Sequence, residues 1–140
     1  MDQRLTIITL AVKDLNRSSA FYLEKFGWTP KPMESKDIYF FQLNGILLAL
    51  YPIEKCGEDT GVEMSDGGYH PLTLAYKTRS EDEVDHIFSD LEKKGVTIVK
   101  YPEKVFWGGY SGYVSDPDGN LWEIAFSPYL HMDGLGNAID

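Results

Sequence analysis

A single cysteine, Cys56, stands in a chain of 140 residues. It cannot form an intramolecular disulfide or a cysteine-based zinc cluster. The expectation is a loop thiol kept reduced in the cytoplasm. A nucleophilic role would need a basic neighbour, and none stands close in sequence. Long apolar runs are also missing. The longest, Ile46 to Tyr51, is far too short to span a bilayer, so no membrane partner is expected. The opening Met1-Asp2-Gln3-Arg4 enters a strand-like segment at once, and no secretory leader is expected. Positive charge is scarce: 13 Lys and Arg are set against 22 Asp and Glu, for a net charge of −9. Binding nucleic acid through its backbone needs clustered Lys and Arg, and here they are scattered. No phosphate-loop, dinucleotide or Ser-His-Asp pattern appears either.

What remains is the composition of an ordinary globular protein, 43% hydrophobic and 25% charged. The length suits one domain with a core of its own. The chain repeats itself. Thr9-Leu-Ala-Val-Lys13 returns as Thr73-Leu-Ala-Tyr-Lys77, and Leu23-Glu-Lys-Phe-Gly27 returns as Leu91-Glu-Lys-Lys-Gly95. Each half reads as strand, helix, glycine stop and further strands.

In the first half, Leu5 to Val12 reads as a buried strand. Asp14 is placed to cap a helix over about 15–26, with Leu15, Ser19, Tyr22 and Phe26 on one face. Gly27 ends it. Strands are expected near Trp28–Met33, Ile38–Leu43 and Ile46–Tyr51, and Asn44-Gly45 marks a tight hairpin. Residues 53–69 read as a linker. In the second half, a strand near Pro71–Lys77 leads to the capping box Ser80-Glu-Asp-Glu83. The helix that follows shows Val84, Ile87, Phe88 and Leu91 on its apolar face and stops at Gly95. Strands near Thr97–Lys100, Gly109–Ser115 and Leu121–Phe126 complete the half, with Asp116 and Asp118 in turn chemistry. The tail from 128 to 140 has no clear periodicity, and is expected to be mobile or to dock on a partner chain.

Two stretches carry a family resemblance. Leu10-Ala-Val-Lys-Asp-Leu-Asn-Arg-Ser-Ser-Ala-Phe-Tyr-Leu-Glu-Lys-Phe-Gly-Trp28 is similar to the opening strand and helix of glyoxalase-like proteins. Gly112-Tyr-Val-Ser-Asp-Pro-Asp-Gly-Asn-Leu-Trp-Glu-Ile124 resembles their signature near the C-terminus, with Val114 and Ile124 in place of Phe and Leu. The resemblance is to the vicinal oxygen chelate superfamily, which groups glyoxalase I, bleomycin-resistance proteins and extradiol dioxygenases. It implies an α+β fold of two βαβββ modules, a curled mixed sheet with a cleft. The modules fall at about 4–52 and 70–127 within a single domain, 1–130.

Metal-dependent members hold a divalent ion with four side chains. Carried over by position, these fall at Ile7, Leu48, Pro71 and Glu123, with His70 beside the third. Isoleucine, leucine and proline have no lone pair for a metal. No metal and no cofactor are therefore expected. Glyoxalase and dioxygenase chemistry through an ion is a distant alternative that needs a rearranged site.

The cleft floor is expected to be apolar. By alternation Thr9, Ala11, Ile46, Leu50, Thr73, Ala75 and Leu121 share the side of Ile7 and Leu48. Trp107, Tyr110 and Tyr113, in a glycine-rich aromatic stretch, are expected at its rim. The expected ligand-binding set is Ile7, Thr9, Leu48, His70, Thr73, Trp107, Tyr110, Tyr113 and Glu123. The expected activity is binding of a small organic molecule with aromatic or apolar bulk and one polar or cationic group facing Glu123. A homodimer in the cytoplasm is the expected form. The alternative is a lyase or isomerase with Glu123 as general acid or base.

Overall fold

The computed structural model describes residues 1, 3, 5–32, 35–61, 63–64 and 72–139. The chain divides into two compact units, Met1–Tyr69 and His70–Asp140. Both are built of mixed sheet and helix, the α+β plan read from the sequence.

The first unit contains β1 (Ile7–Val12), α1 (Leu15–Glu24), β2 (Tyr39–Gln42), β3 (Leu47–Pro52) and α2 (Ile53–Thr60). Its strands lie in the order β1-β3-β2, with β1 parallel and β2 antiparallel to β3. The α1 helix starts where Asp14 accepts a hydrogen bond from the Arg17 N–H at 2.9 Å. Such a cap satisfies one of the orphan donors of the first turn. Gly27 follows its end with φ +72°, a conformation that a side chain would resist. Phe21 and Tyr22 of α1 are buried with Leu10, Val12, Phe41, Leu48 and Leu50 of the sheet. Tyr22 is the hub. Its ring centroid lies 5.3 Å from Phe21, 5.5 Å from Phe26, 5.6 Å from Trp28 and 5.7 Å from Phe41.

Two expectations are corrected here. The strand near Trp28–Met33 shrinks to a single bridge, Pro30 to Phe41, with one hydrogen bond from the Lys31 N–H to the Phe40 carbonyl. Pro30 and Pro32 flank that bond and have no N–H to continue a ladder. The segment read as a linker opens with α2, despite Gly57 in its middle. Pro52 precedes the helix, and Gly61 closes it with φ +70°. Cys56 therefore lies on a helix, not in a loop. It is buried, and that burial pushes its thiol pKa up, with the nearby Asp59 charge adding to the effect.

The second unit contains β4 (Thr73–Thr78), α3 (Glu81–Lys93), β5 (Thr97–Lys104), β6 (Tyr110–Ser115) and β7 (Leu121–Phe126), then β8 (His131–Met132) and β9 (Ala138–Ile139). The main sheet runs β4-β7-β6-β5, with β4 parallel to β7. Ser80 caps α3 by accepting from the Glu83 N–H at 3.2 Å. Glu83 reaches back one residue further than expected, to the Arg79 N–H at 2.7 Å. Acidic residues fill the first turn and Lys93 the last, which suits the helix dipole. Val84, Phe88 and Leu91 are buried with Val114, Trp122 and Ile124. Gly112 lets the helix come close: a Cβ there would lie 2.6 Å from the Phe88 ring and 2.7 Å from the Lys100 carbonyl. The β5–β6 ladder slips twice, between Ile98 and Lys100 and again between Lys100 and Glu103.

Asp116 is 4% exposed, and its carboxylate organises the turn between β6 and β7. It accepts from the N–H groups of Asp118 and Asn120 and from the Asn120 side chain, at 2.8–2.9 Å. The tail repeats this device. Asp133 accepts from the N–H groups of Leu135 and Asn137 and from the Asn137 side chain, at 2.8–2.9 Å. The tail is thus a hairpin of the second unit, and Arg79 donates to the Asp133 carbonyl at 2.8 Å. The sequence, lacking periodicity there, shows no strand pattern for this hairpin.

Hydrogen bonds from Asn137, and then from Leu135 and Gly136, hold the Asp133 carboxyl below its ordinary pKa of 3.8. A depressed carboxylate pKa stabilises the fold above the unfolded value, and that contribution is lost as pH falls through the folded value. The tail hairpin should therefore open in acid before the rest of the chain. Below about pH 4, amide exchange at Leu135 and Asn137, corrected for intrinsic rate, should speed up relative to β6 and β7.

Candidate functional site

The site is built on one face of the second sheet. Pairing across the strands sets Ala75 opposite Glu123, and Glu123 opposite Tyr113. Lys100 of β5 continues the row beside Tyr113. Two residues along β4 from Ala75, Lys77 returns to the same face and pairs with Ala125. Helix α3 packs on the opposite face, over Gly112, Val114, Trp122 and Ile124.

Tyr113 and Glu123 are directly opposed on adjacent strands, so the phenol and the carboxylate face one another on the sheet. Burial raises the Tyr113 pKa, and the Glu123 charge adds to the rise, against the opposing Lys100 charge. The phenol accordingly stays protonated at neutral pH. Lys77 is shifted the other way. Burial lowers its pKa, while the Glu123 charge works to keep the ammonium. Its Nζ is buried and has no hydrogen-bond partner among the described residues. Lys100 forms an ion pair with Glu103 at 2.5 Å.

A carboxylate, a phenol opposite it and a buried amine can bind a polar group of a ligand or move a proton. They suit a divalent ion poorly. Metal sites of hard or borderline ions draw on carboxylates, imidazoles and thiolates, and an ammonium beside the carboxylate repels the ion. Among the described residues no three His, Cys, Asp or Glu side chains converge. His70 and Pro71 lie outside the described residues.

The expected site residues scatter. Glu123, Tyr113 and Thr73 share the face just described. Tyr110 stands on the opposite face, where its hydroxyl donates to Asp85 of α3 at 2.7 Å. Parity along β6 demands this: Tyr110 and Tyr113 are an odd number of residues apart, so they point to opposite sides. Trp107 lies in the loop between β5 and β6, with its ring against Gly109. A Cβ on Gly109 would fall 1.8 Å from that ring.

In the first unit the register pairs Ile7 with Leu47, Thr9 with Ala49 and Ala11 with Tyr51. Leu48 pairs with Ile8, on the opposite face, and is 1% exposed. Leu48 is therefore core, packed on the side of α1, and does not join Ile7 and Thr9. Ile46 and Leu50 go with it by alternation. The internal repeat then makes Tyr51 the counterpart of Glu123, because Ala11 pairs with Tyr51 as Ala75 pairs with Glu123. Burial, and after it the neighbouring Asp59 of α2, raise the Tyr51 pKa.

Sequence reasoning missed Lys77. The signal was present: alternation through Thr73 and Ala75 reaches it next, and the repeat ends on it.

Comparison with known proteins follows the same lines. The model of the Glyoxalase/Bleomycin resistance protein/Dioxygenase superfamily matches residues 4–124. Metallothiol transferase FosB of Lysinibacillus sphaericus is 31% identical over 122 residues, which is 87% of this chain and 81% of that protein. Glutathione transferase FosA of Serratia marcescens is 30% identical over 124 residues, 89% of this chain and 81% of that protein. The crystal structure of a glyoxalase-related enzyme from Fulvimarina pelagi superposes with a TM-score of 0.88 at 36% identity. That match covers 99% of this chain and 98% of the other. No helix of the described residues is long and apolar enough to cross a membrane.

Proposed function

The chain belongs to the Glyoxalase/Bleomycin resistance protein/Dioxygenase superfamily, and on that premise we propose that it binds a small organic molecule on the Glu123 face of its second sheet, without a metal ion. The observation that carries this reading is the buried Lys77 amine, without a hydrogen-bond partner among the described residues, diagonal to the facing pair Glu123 and Tyr113. Polar groups this close on one sheet face are costly unless something uses them. The relatives named as thiol and glutathione transferases make a small organic ligand the class to look for. The same reading has the protein act in the cytoplasm as a homodimer.

A second reading is favoured by the opposed shifts of Tyr113 and Lys77, which suit groups that exchange protons. It makes the protein a lyase or isomerase that moves a proton through Glu123. The Glu123→Gln variant separates the two. Under the binding reading, affinity for a fragment that moves the amide resonances of β4, β6 and β7 should fall roughly tenfold and no further. Under the proton-transfer reading, turnover should fall by about a hundredfold or more while binding persists. Elemental analysis after dialysis tests the metal-free premise. One tightly held nickel, zinc, iron or manganese ion per chain, lost in Glu123→Gln, would sink it.

A further inference from the structure

We propose that Lys77 is a ligand-binding residue, and that the ligand is a small carboxylic acid carrying a hydroxyl group. This deepens the reading above and rests on it. The carboxylate of such a ligand meets the Lys77 ammonium, and its hydroxyl donates to Glu123.

Lys77 Nζ is buried, and none of its three N–H donors has an acceptor among the described residues. Leaving a buried charged donor unmatched is expensive, so each such atom in a folded protein calls for an explanation. The Glu123 charge lies close enough to favour the ammonium but does not hydrogen-bond to it. An oxygen acceptor supplied from outside the chain completes the site.

The geometry also sets the ligand's second group. Ala75 pairs with Glu123 and Lys77 with Ala125, so Lys77 and Glu123 are diagonal neighbours on adjacent strands. Side chains so placed on one sheet face come within reach of a single small molecule. A carboxylate offers about four lone-pair sites, so Glu123 has acceptor capacity for a ligand even with Tyr113 opposite it. The ligand therefore needs an acceptor at one end and a donor at the other.

Polarity rules against the cationic ligand that the sequence alone suggests. A cation approaching Glu123 would meet the Lys77 ammonium beside it, while Lys100 on the far side of Tyr113 is already ion-paired with Glu103. The Lys77 charge draws an anion. In this arrangement Lys77 is the electrophile of the site: it polarises the ligand oxygen as a compact positive charge.

The test uses the intact chain, labelled with nitrogen-15, and four probes of similar size: lactate, propanoate, propan-2-ol and isopropylammonium. Lactate should shift the Ala75, Tyr113 and Glu123 amides saturably, with propanoate weaker and the other two silent. Lys77→Met should raise the lactate Kd by roughly tenfold or more. Lys77→Arg keeps the charge and should keep the preference for anions. If Lys77→Met fails to fold, which a collapsed amide spectrum would reveal, Lys77→Gln, which removes the charge but keeps a polar tip, decides in its place, with the same rise in lactate Kd expected. Binding of isopropylammonium in place of lactate, or a lactate Kd unchanged in Lys77→Met, overturns the assignment and leaves small-molecule binding at Glu123 standing. Silence from all four probes overturns both.

Discussion

Replacing Phe41 with alanine should lower the unfolding free energy by about 3–5 kcal/mol. Phe41 is 1% exposed, and its ring lies 5.7 Å from Tyr22 and 6.0 Å from Trp28. The loss has two parts. Apolar surface returns to water on unfolding, and the folded chain keeps a void, because the surrounding rings are held by one another and collapse only partly. A domain of this kind has roughly 5–15 kcal/mol to lose, so the variant should sit near the edge of folding. Urea denaturation measures the change. A loss below about 1 kcal/mol would mean that the Tyr22 cluster is not the core described.

The two aspartate-centred turns provide the second large effect. Asp116→Ala should cost about 3 kcal/mol, because it strands three donors at a turn whose carboxylate is 4% exposed. Asp133→Ala removes the same set of hydrogen bonds from the tail hairpin. There water replaces the lost acceptor, and the global unfolding midpoint should not move. Only the Asp116 variant should lose urea resistance, while the Asp133 variant should show faster exchange confined to residues 131–139. Equal losses in both would show that burial does not set the cost of this turn.

Much of the fold was legible, and the reasons are local. Asp14, Ser80 and Gly27 act through neighbours in the chain, so their roles can be read without knowing the fold. The bounds of β7 agree with the structure at both ends because Asn120 and Ser127 bracket a run of strand-forming residues. Other features failed for identifiable reasons. Ile46 to Tyr51 is apolar throughout, so alternation gives no sign of which residues face inward. Only the pairing with β1 decides that Tyr51, and not Leu48, shares the face of Ile7. The α2 helix was hidden by its glycine and acids, which are turn residues by composition. Lys77 was passed over because lysine on a strand usually marks solvent, whereas here its tip is buried. The tail hairpin could have been found: Asp133-Gly-Leu-Gly-Asn137 has the Asp-x-x-Gly-Asn spacing of Asp116-Pro-Asp-Gly-Asn120.

The two register slips in β5 have a bearing on behaviour at high concentration. That strand forms one border of the second sheet, and a regular border would template a strand from another molecule. Between Ile98 and Glu103 the backbone loses its even spacing, and Pro102 removes a donor. Fibrillar stacking through this border is disfavoured, and crowded or concentrated solutions of the protein should stay clear.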